Sequence, residues 1–318
     1  YYLYANTFYR RVVQGGQELG EAPTSLPEEV VRRDAAAGEG ERVGVGGVPA
    51  ELVVGLLRGE AGRARGDDDR GDLGLAVLTR ETVLYFLPLA PMSEIGPDGH
   101  PRRGGFLPPI ALERRMWAGS RCVFHGALKI GDQAERTSTI LRIAEKTGKA
   151  GPMVFVTVRH EIRSGTGLVF EEEQDTVYVA MPDRPATPEP VPLPPCDWQE
   201  TVMVDPVLLF RFSALTFNGH RIHYDRDYAT AVEKYPGLVV HGPLQALMLF
   251  EAARRRMPER RPARFEFRGI RPLFDKDSLT LSGRSRSDGG MDLFTGTASG
   301  ATGMQAALHW QPDGSSHG

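Results

Sequence analysis

Residues 217–229 read FNGHRIHYDRDYA, and residues 235–253 read YPGLVVHGPLQALMLFEAA. The first stretch concentrates an Asn, two His, two Arg, two Asp and two Tyr between apolar segments. The second opens a helix at Gly242 and Pro243, with Leu244, Leu247, Met248 and Ala252 on one apolar face. Pro fits the first turn of a helix, where its missing N–H costs nothing. A helix entrance offers unpaired backbone N–H groups and a partial positive charge. Glycine there lets a ligand carbonyl come close, so the entrance can polarise a thioester and hold an enolate oxygen. The same residues also suit an ordinary buried helix that needs a glycine turn. His220 and His223 lie three apart, with Asn218 two before His220, so in a tight loop Asn218 and His223 can face one point. Histidine is the natural general base near neutral pH, whereas Asn can orient water but cannot shuttle a proton. Two His at this spacing also suit a metal, but no Cys, third His or well-placed carboxylate nearby completes a zinc set, and no metal is expected. A solvated polar loop without chemistry is the plainer alternative.

Outward from these stretches the pattern is mostly strands. QETVMV precedes them, and Asp205 caps a helix whose first residue is Pro206. ARFEFRGIR, DSLTLSGRSR, MDLFTGTASG and MQAALHWQ follow as four strand-like segments. Upstream, PDRPATPEPVPLPP (182–195) holds seven prolines in fourteen residues, a stiff extended linker. Before it RCVFHGAL, ERTSTILRIAEK, MVFVTVRHEIR and VFEEEQDTVYVA read as strands, and LGLAVLT and TVLYFLPLA as short apolar runs. MSEIGPDGHPRRGGFLPPI is turn-rich and too polar for a core. Residues 1–72 yield two helical patterns, LPEEVVRRDAAA and VPAELVVGLLRGEAGRAR, with Gly-rich and acidic loops around them. Phe124-His125-Gly126 aligns with Phe267-Arg268-Gly269 at an offset of 143, with an Asp six residues past each Gly. Three strands follow in both cases, so the chain reads as a duplication. The repeat is one long helix against an antiparallel sheet, an α+β layer pair whose first copy has lost or altered its helix.

The bulk properties fit this reading. A chain of 318 residues accommodates two such units, and a net charge of −3 with 25% charged residues demands no nucleic-acid partner. Cys122 and Cys196 form no metal or redox spacing, which suits a reducing cytoplasm. No apolar run reaches the ~18 residues of a membrane span, so no membrane partner is expected.

FSALTFNGHRIHYDRDYA followed by YPGLVVHGPLQALML resembles the hydratase motif of MaoC-like hot-dog proteins. The usual form is Ser-Gly-Asp-x-Asn-Pro-[Ile/Leu]-His, then a Gly-x-x-x-His-Gly helix entrance. Thr216, Phe217, Asn218, Gly219, His220, Arg221, Ile222 and His223 occupy it here. The variant is that of the mitochondrial hydroxyacyl-thioester dehydratase type 2 group. LYFLPLAPMSEIGPDGHPRRGGFLPPIALERRMWAGSR (84–121) resembles the 3-methylfumaryl-CoA (mesaconyl-C4-CoA) hydratases.

The resemblance implies a double hot-dog fold: a degenerate unit over 1–181, with 1–83 poorly matched, a linker over 182–197, a catalytic unit over 198–312 and a tail over 313–318. It implies reversible addition of water to an α,β-unsaturated acyl-CoA, with no cofactor beyond the thioester substrate, in a cytoplasmic homodimer or monomeric double hot-dog. His223 matches the catalytic His and Gly242 the glycine whose N–H faces the thioester oxygen. Asn218 stands where the common form has a catalytic Asp. His223 would therefore take the proton from water and its imidazolium would return one to the α-carbon, while Asn218 holds the water. Arg221, Tyr224 and His241 border this site as substrate-binding candidates. For a dicarboxylic acyl group, Arg114, Arg115 and Arg221 are candidate carboxylate readers because guanidinium binds carboxylate bidentately. Trp117 either walls the acyl pocket or belongs to the core. The alternatives are a (3R)-hydroxyacyl-thioester dehydratase of fatty-acid synthesis and a non-catalytic acyl-thioester binder. The latter would have His223 turned away from Gly242. RRRMPERRPAR (254–264) either steers CoA phosphates or is a solvated helix end.

Overall fold

A computed structural model describes residues 86–128, 132–148, 151–165, 167–183 and 189–312, together with short strands at 13–14, 17–18 and 39–44. The two helical patterns expected before residue 66 and the run at 73–79 lie outside the described residues.

Twelve strands are described: β1 (Val13–Gln14), β2 (Gln17–Glu18), β3 (Glu39–Gly44), β4 (Arg114–Phe124), β5 (Gln133–Gly148), β6 (Gly151–Ser164), β7 (Gly167–Val179), β8 (Trp198–Val202), β9 (Pro262–Gly269), β10 (Leu279–Ser285), β11 (Met291–Thr297) and β12 (Thr302–Trp310). β1 and β2 pair with each other. The other ten form one antiparallel sheet in the order β3-β5-β6-β7-β4-β9-β12-β11-β10-β8. The order is a palindrome of two five-strand sets: β4, β5, β6, β7 and β3 on one side answer β9, β10, β11, β12 and β8 on the other. The sets meet where β4 pairs with β9, and there Cys122 stands opposite Phe265, the residue 143 positions further along. The offset read from the sequence thus recurs at the one seam pair where equivalent residues of the two copies face each other.

Several elements differ from the sequence reading. β4 begins at Arg114, seven residues before the expected strand, because RRMWAGS completes the ladder with β7 despite a bulge at Trp117–Gly119. β3 falls in a Gly-rich segment expected to be loop; the exposed edge of β5 supplies its hydrogen-bond partners. The described end of the apolar run at 82–90, from Phe86 on, is irregular, and Pro88 there has no N–H to donate. The proline-rich segment is extended as expected but does not run free. Leu193 N–H donates to Gly300 O (2.8 Å) and Thr302 N–H to Val191 O (2.7 Å), so it lies along the β11–β12 turn.

Helix α1 (Pro206–Thr216) begins as its sequence demands: Asp205 accepts from Leu208 N–H at 2.8 Å, with Pro in the first turn. Helix α2 (Gly242–Arg254) packs on β10, β11 and β12 and reaches β4. It is buried nearly all round rather than on one face, with Leu247 only half-buried. Each fully buried Leu, Met or Phe contributes ~1.5–3 kcal/mol, which outweighs any propensity term. Its one core amide, Gln245, is satisfied: Oε1 accepts from Thr295 Oγ1 (2.7 Å) and Nε2 donates to Val240 O (3.3 Å). Phe250 of α2 stacks on Phe124 of β4 and meets Phe265 of β9 edge-on, so the helix closes the core across the seam.

Candidate active site

The FNGHRIHYDRDYA stretch connects α1 to α2, and its backbone is fixed at both ends. Phe217 takes a left-handed conformation (φ 53°) that stops α1, and Asn218 N–H donates to Ser213 O (3.0 Å). A 3₁₀ turn follows at Arg221–His223, then a single π turn at Tyr228–Val232. Val239 N–H donates to Ile222 O (2.9 Å), tying the turn to the segment that leads into α2.

This arrangement buries His223 and aims it. Its Nδ1 donates to Val239 O at 2.8 Å, so Nδ1 carries the proton and Nε2 keeps its lone pair. The ring stacks on His241 with centroids 3.6 Å apart. His241 is the residue before Gly242, so the catalytic candidate lies directly against the entrance of α2. His241 is oriented in turn by Ser213 Oγ at 2.9 Å from its Nε2. Burial, then the neighbouring His241 and His220, hold the His223 imidazole well below its usual range. Burial and His220 push His241 down to about 3. Both are neutral at pH 7, the form a general base requires.

Gly242 provides the other half. Among the described residues its N–H has no acceptor, as expected in a first helical turn. A Cβ built there would come no closer than 4.0 Å to the Met304 methyl and the Trp117 carbonyl, so the entrance is roomy. The backbone carbonyl of Trp117 in β4 therefore faces the entrance, while its side chain meets Phe267 and its Nε1 donates to Ser120 Oγ (2.8 Å). Asn218 Oδ1 accepts from His220 N–H (3.1 Å), which leaves its Nδ2 as the group able to hold a water. The Tyr224 hydroxyl donates to Gly219 O (2.9 Å) and braces the loop.

The three arginine candidates are not equivalent. Arg114 is bound by Glu233 (Nε to Oε2, 3.2 Å) and by the Tyr235 hydroxyl, with its guanidinium over the Tyr235 ring. Arg221 is held by Asp225 (2.7 Å) and donates to Pro97 O. Arg115 donates through Nη2 to Pro101 O (2.8 Å) but its buried Nε has no hydrogen bond, with Asp98 Oδ2 3.9 Å away. At the far end of α2, Arg255 and Arg256 are tied to Glu200, and Arg256 also lies over Trp198.

Sequence reasoning missed the contribution of the segment 97–101, dismissed as too polar for a core. Its polarity is spent on the site. Arg221 N–H donates to Asp98 O (2.9 Å), and Gly99 (φ +89°) abuts Gly219 so closely that a Cβ on either would collide with the other's carbonyl. The segment brings His100 onto His220, ring centroids 4.1 Å apart, while Asp98 Oδ2 binds His100 Nδ1 at 3.0 Å. His220, Glu233 and Arg114 form a buried chain of contacts: His220 Nε2 to Glu233 Oε1 is 3.0 Å. The third His and carboxylate absent from the local sequence are thus supplied from more than 100 residues away. Asp98, His100 and His220 bring metal-competent donors within 4.8 Å of one another, the one such group among the described residues. Asp98 is already bonded to His100 and His220 to Glu233, so we read it as a hydrogen-bonded network.

Residues 80–275 match the family of hydroxyacyl-thioester dehydratases type 2. The chain belongs to that family. Within it, the chain is 51% identical to a mesaconyl-C(4)-CoA hydratase of Chloroflexus aurantiacus over 227 residues, which is 70% of this chain and 80% of that protein. It is 28% identical over 239 residues to the mitochondrial hydroxyacyl-thioester dehydratase type 2 of Schizosaccharomyces pombe, covering 67% and 79% of the two chains. A MaoC-like dehydratase from Phytophthora capsici superposes with a TM-score of 0.59 at 12% identity, over 87% of this chain and 96% of the other. The double hot-dog expectation holds: two hot-dog sheets, joined edge to edge, make up this type 2 dehydratase family member.

Proposed function

We propose that the protein is a hydro-lyase that adds and removes water across the double bond of an α,β-unsaturated acyl-CoA, with 3-methylfumaryl-CoA and (S)-citramalyl-CoA as the substrate pair. The observation that carries this reading is the stacking of His223, with Nε2 free, on the residue that precedes the open Gly242 N–H. In this reading His223 Nε2 takes a proton from water as the oxygen attacks the β-carbon, and Asn218 Nδ2 holds that water. The thioester oxygen becomes enolate-like and receives the Gly242 N–H, an interaction whose loss typically costs ~3 kcal/mol. Residues 198–312 are taken as the catalytic unit, and no cofactor or metal is invoked. The 51% identity to the bacterial hydratase supports the dicarboxylic substrate, and the unsatisfied Arg115 Nε supplies a donor for its free carboxylate. Two free cysteines, one of them buried, are consistent with a cytoplasmic enzyme; no helix among the described residues is long and apolar enough to cross a membrane. A homodimer and a monomeric double hot-dog both fit this reading.

A second reading, dehydration of (3R)-hydroxyacyl thioesters, draws on the similarity to the yeast mitochondrial protein. Hydration assays on a panel of enoyl-CoAs, with and without a terminal carboxylate, separate the two. Turnover confined to the carboxylated substrates is expected. Preference for long plain enoyl chains would replace the first reading by the second, and no hydration of any member would sink both.

A further inference from the structure

The site as described has one base and one oxyanion donor, yet hydration moves two protons, one off water and one onto the α-carbon. Where a carboxylate could share the work, this chain has the amide of Asn218, which cannot transfer a proton. A single imidazole, that of His223, would have to take the proton of water at its Nε2 and deliver that same proton to the α-carbon. A second imidazole lies beside it. The His220 ring meets the His223 ring edge-on, with centroids 5.5 Å apart. Unlike His223, it is backed by a carboxylate: Glu233 Oε1 accepts from Nε2 at 3.0 Å, and Arg114 fixes the other Glu233 oxygen. His220 and Glu233 are both buried, so their interaction is only weakly screened. That leaves Nδ1 as the working nitrogen. It has no hydrogen-bond partner among the described residues and, unlike His241 Nδ1, is not sealed from solvent.

We propose that His220 is the second proton-handling residue of this site, giving a proton to the α-carbon while His223 takes one from water. The proposal rests on the hydratase reading above. Water oxygen forms the bond to the β-carbon and its proton goes to His223 Nε2. The π electrons move onto the thioester as an enolate, held at Gly242. The enolate then forms its C–H bond with the proton on His220 Nδ1, and that N–H electron pair stays on nitrogen. One imidazolium is thereby exchanged for the other, so net charge in the pocket is constant. The cycle resets when the His223 proton returns to His220 through water. The charged and titratable groups facing His220 are Glu233 after the π turn, Arg114 of β4 through Glu233, His223 and His241, and His100 with Asp98 and Arg115 behind it. His100 is partly exposed and lies tilted on the buried His220 ring, which puts His100 at the solvent side of the array.

The test is the pH profile of kcat for hydration, from about pH 5 to about pH 9, around the histidine range. Because His220 must carry a proton, kcat of the wild type falls on the alkaline side. Glu233→Gln removes the carboxylate that accepts from His220 Nε2 and moves the alkaline limb of the profile to lower pH. A merely structural role for Glu233 would lower kcat and leave the limb in place, and that result overturns the proposal. His220→Gln lowers kcat by ~10²–10⁴ with little change in KM; a kcat within about threefold of wild type would leave one imidazole doing both jobs, and decides the matter if Glu233→Gln does not fold. A wild type that hydrates nothing removes the parent reading, an outcome distinct from an active enzyme whose alkaline limb does not move.

Discussion

The proposed chemistry rests on a few side chains whose orientation is set by their hydrogen bonds. His223→Ala should lower hydration by ~10²–10⁴ in kcat/KM with the fold intact, measured by steady-state rates beside circular dichroism. Asn218→Ala should cost less, because the amide positions a water without moving a proton; the reverse order would mean that the base is elsewhere. Arg115→Met should raise KM at least about tenfold for a dicarboxylic enoyl-CoA, the equivalent of ~1.4 kcal/mol, and leave plain enoyl-CoAs unchanged. Equal effects on both would return Arg115 to a structural role. At this scale His223, Asn218 and Gly242 stood out as candidates because they occupy the positions of the MaoC-like motif; their spacing alone also suits an ordinary helix start and a solvated loop. His220, Glu233, Asp98 and His100 were not legible. Their meaning comes from contacts such as His220 to Glu233 and His100 to His220, which local spacing does not encode.

Elements deliver these residues, and two glycines show how. Gly242 sits in the first turn of α2 without positive φ and with open space around its Cβ position. Gly242→Ala should therefore leave the melting temperature unchanged or slightly raised, since Ala is favoured in helices by ~1 kcal/mol. Turnover should nonetheless fall, because the methyl group occupies the approach of the thioester; unchanged turnover would show that no ligand uses that space. Gly99 is the opposite case, with φ +89° and no room for a Cβ against Gly219. Gly99→Ala should release the 97–101 segment from the active-site loop, read as faster limited proteolysis there and loss of activity. A protease pattern like the wild type's would argue that the segment is anchored elsewhere. The strands and α1 were legible from alternation and capping. The start of β4 and the whole of β3 were not, because a partner strand, rather than their own composition, makes them strands.

Across the whole molecule, buried histidines tie stability to pH. The folded state holds His223 and His241 below the usual histidine range, and His160 down to about 4, chiefly by burial. Unfolding lets each bind a proton below the ordinary histidine value of about 6.5, so stability is full above that pH and is lost as pH falls. Each contributes on the order of 1.4 kcal/mol per pH unit in that window. Glu172, pushed up by burial, works in the opposite sense. Urea midpoints should fall steadily between about pH 6.5 and about pH 4.5; a flat profile would mean that the three rings are not buried neutral. The duplication was legible in the 143-residue offset, but the sequence did not say that the copies join through β4 and β9.

The Arg114–Glu233 ion pair links β4 of one hot dog to the active-site loop of the other. A protein assembled from two identical halves would have to repeat such a pair on both sides of its axis. Here the tandem chain has broken that symmetry, giving the cation to one half and the anion to the other. Divergence of this kind is a ratchet: the C-terminal half, cut loose, would leave Glu233 without Arg114 and carry an open β9 edge, so it cannot return to an independent life.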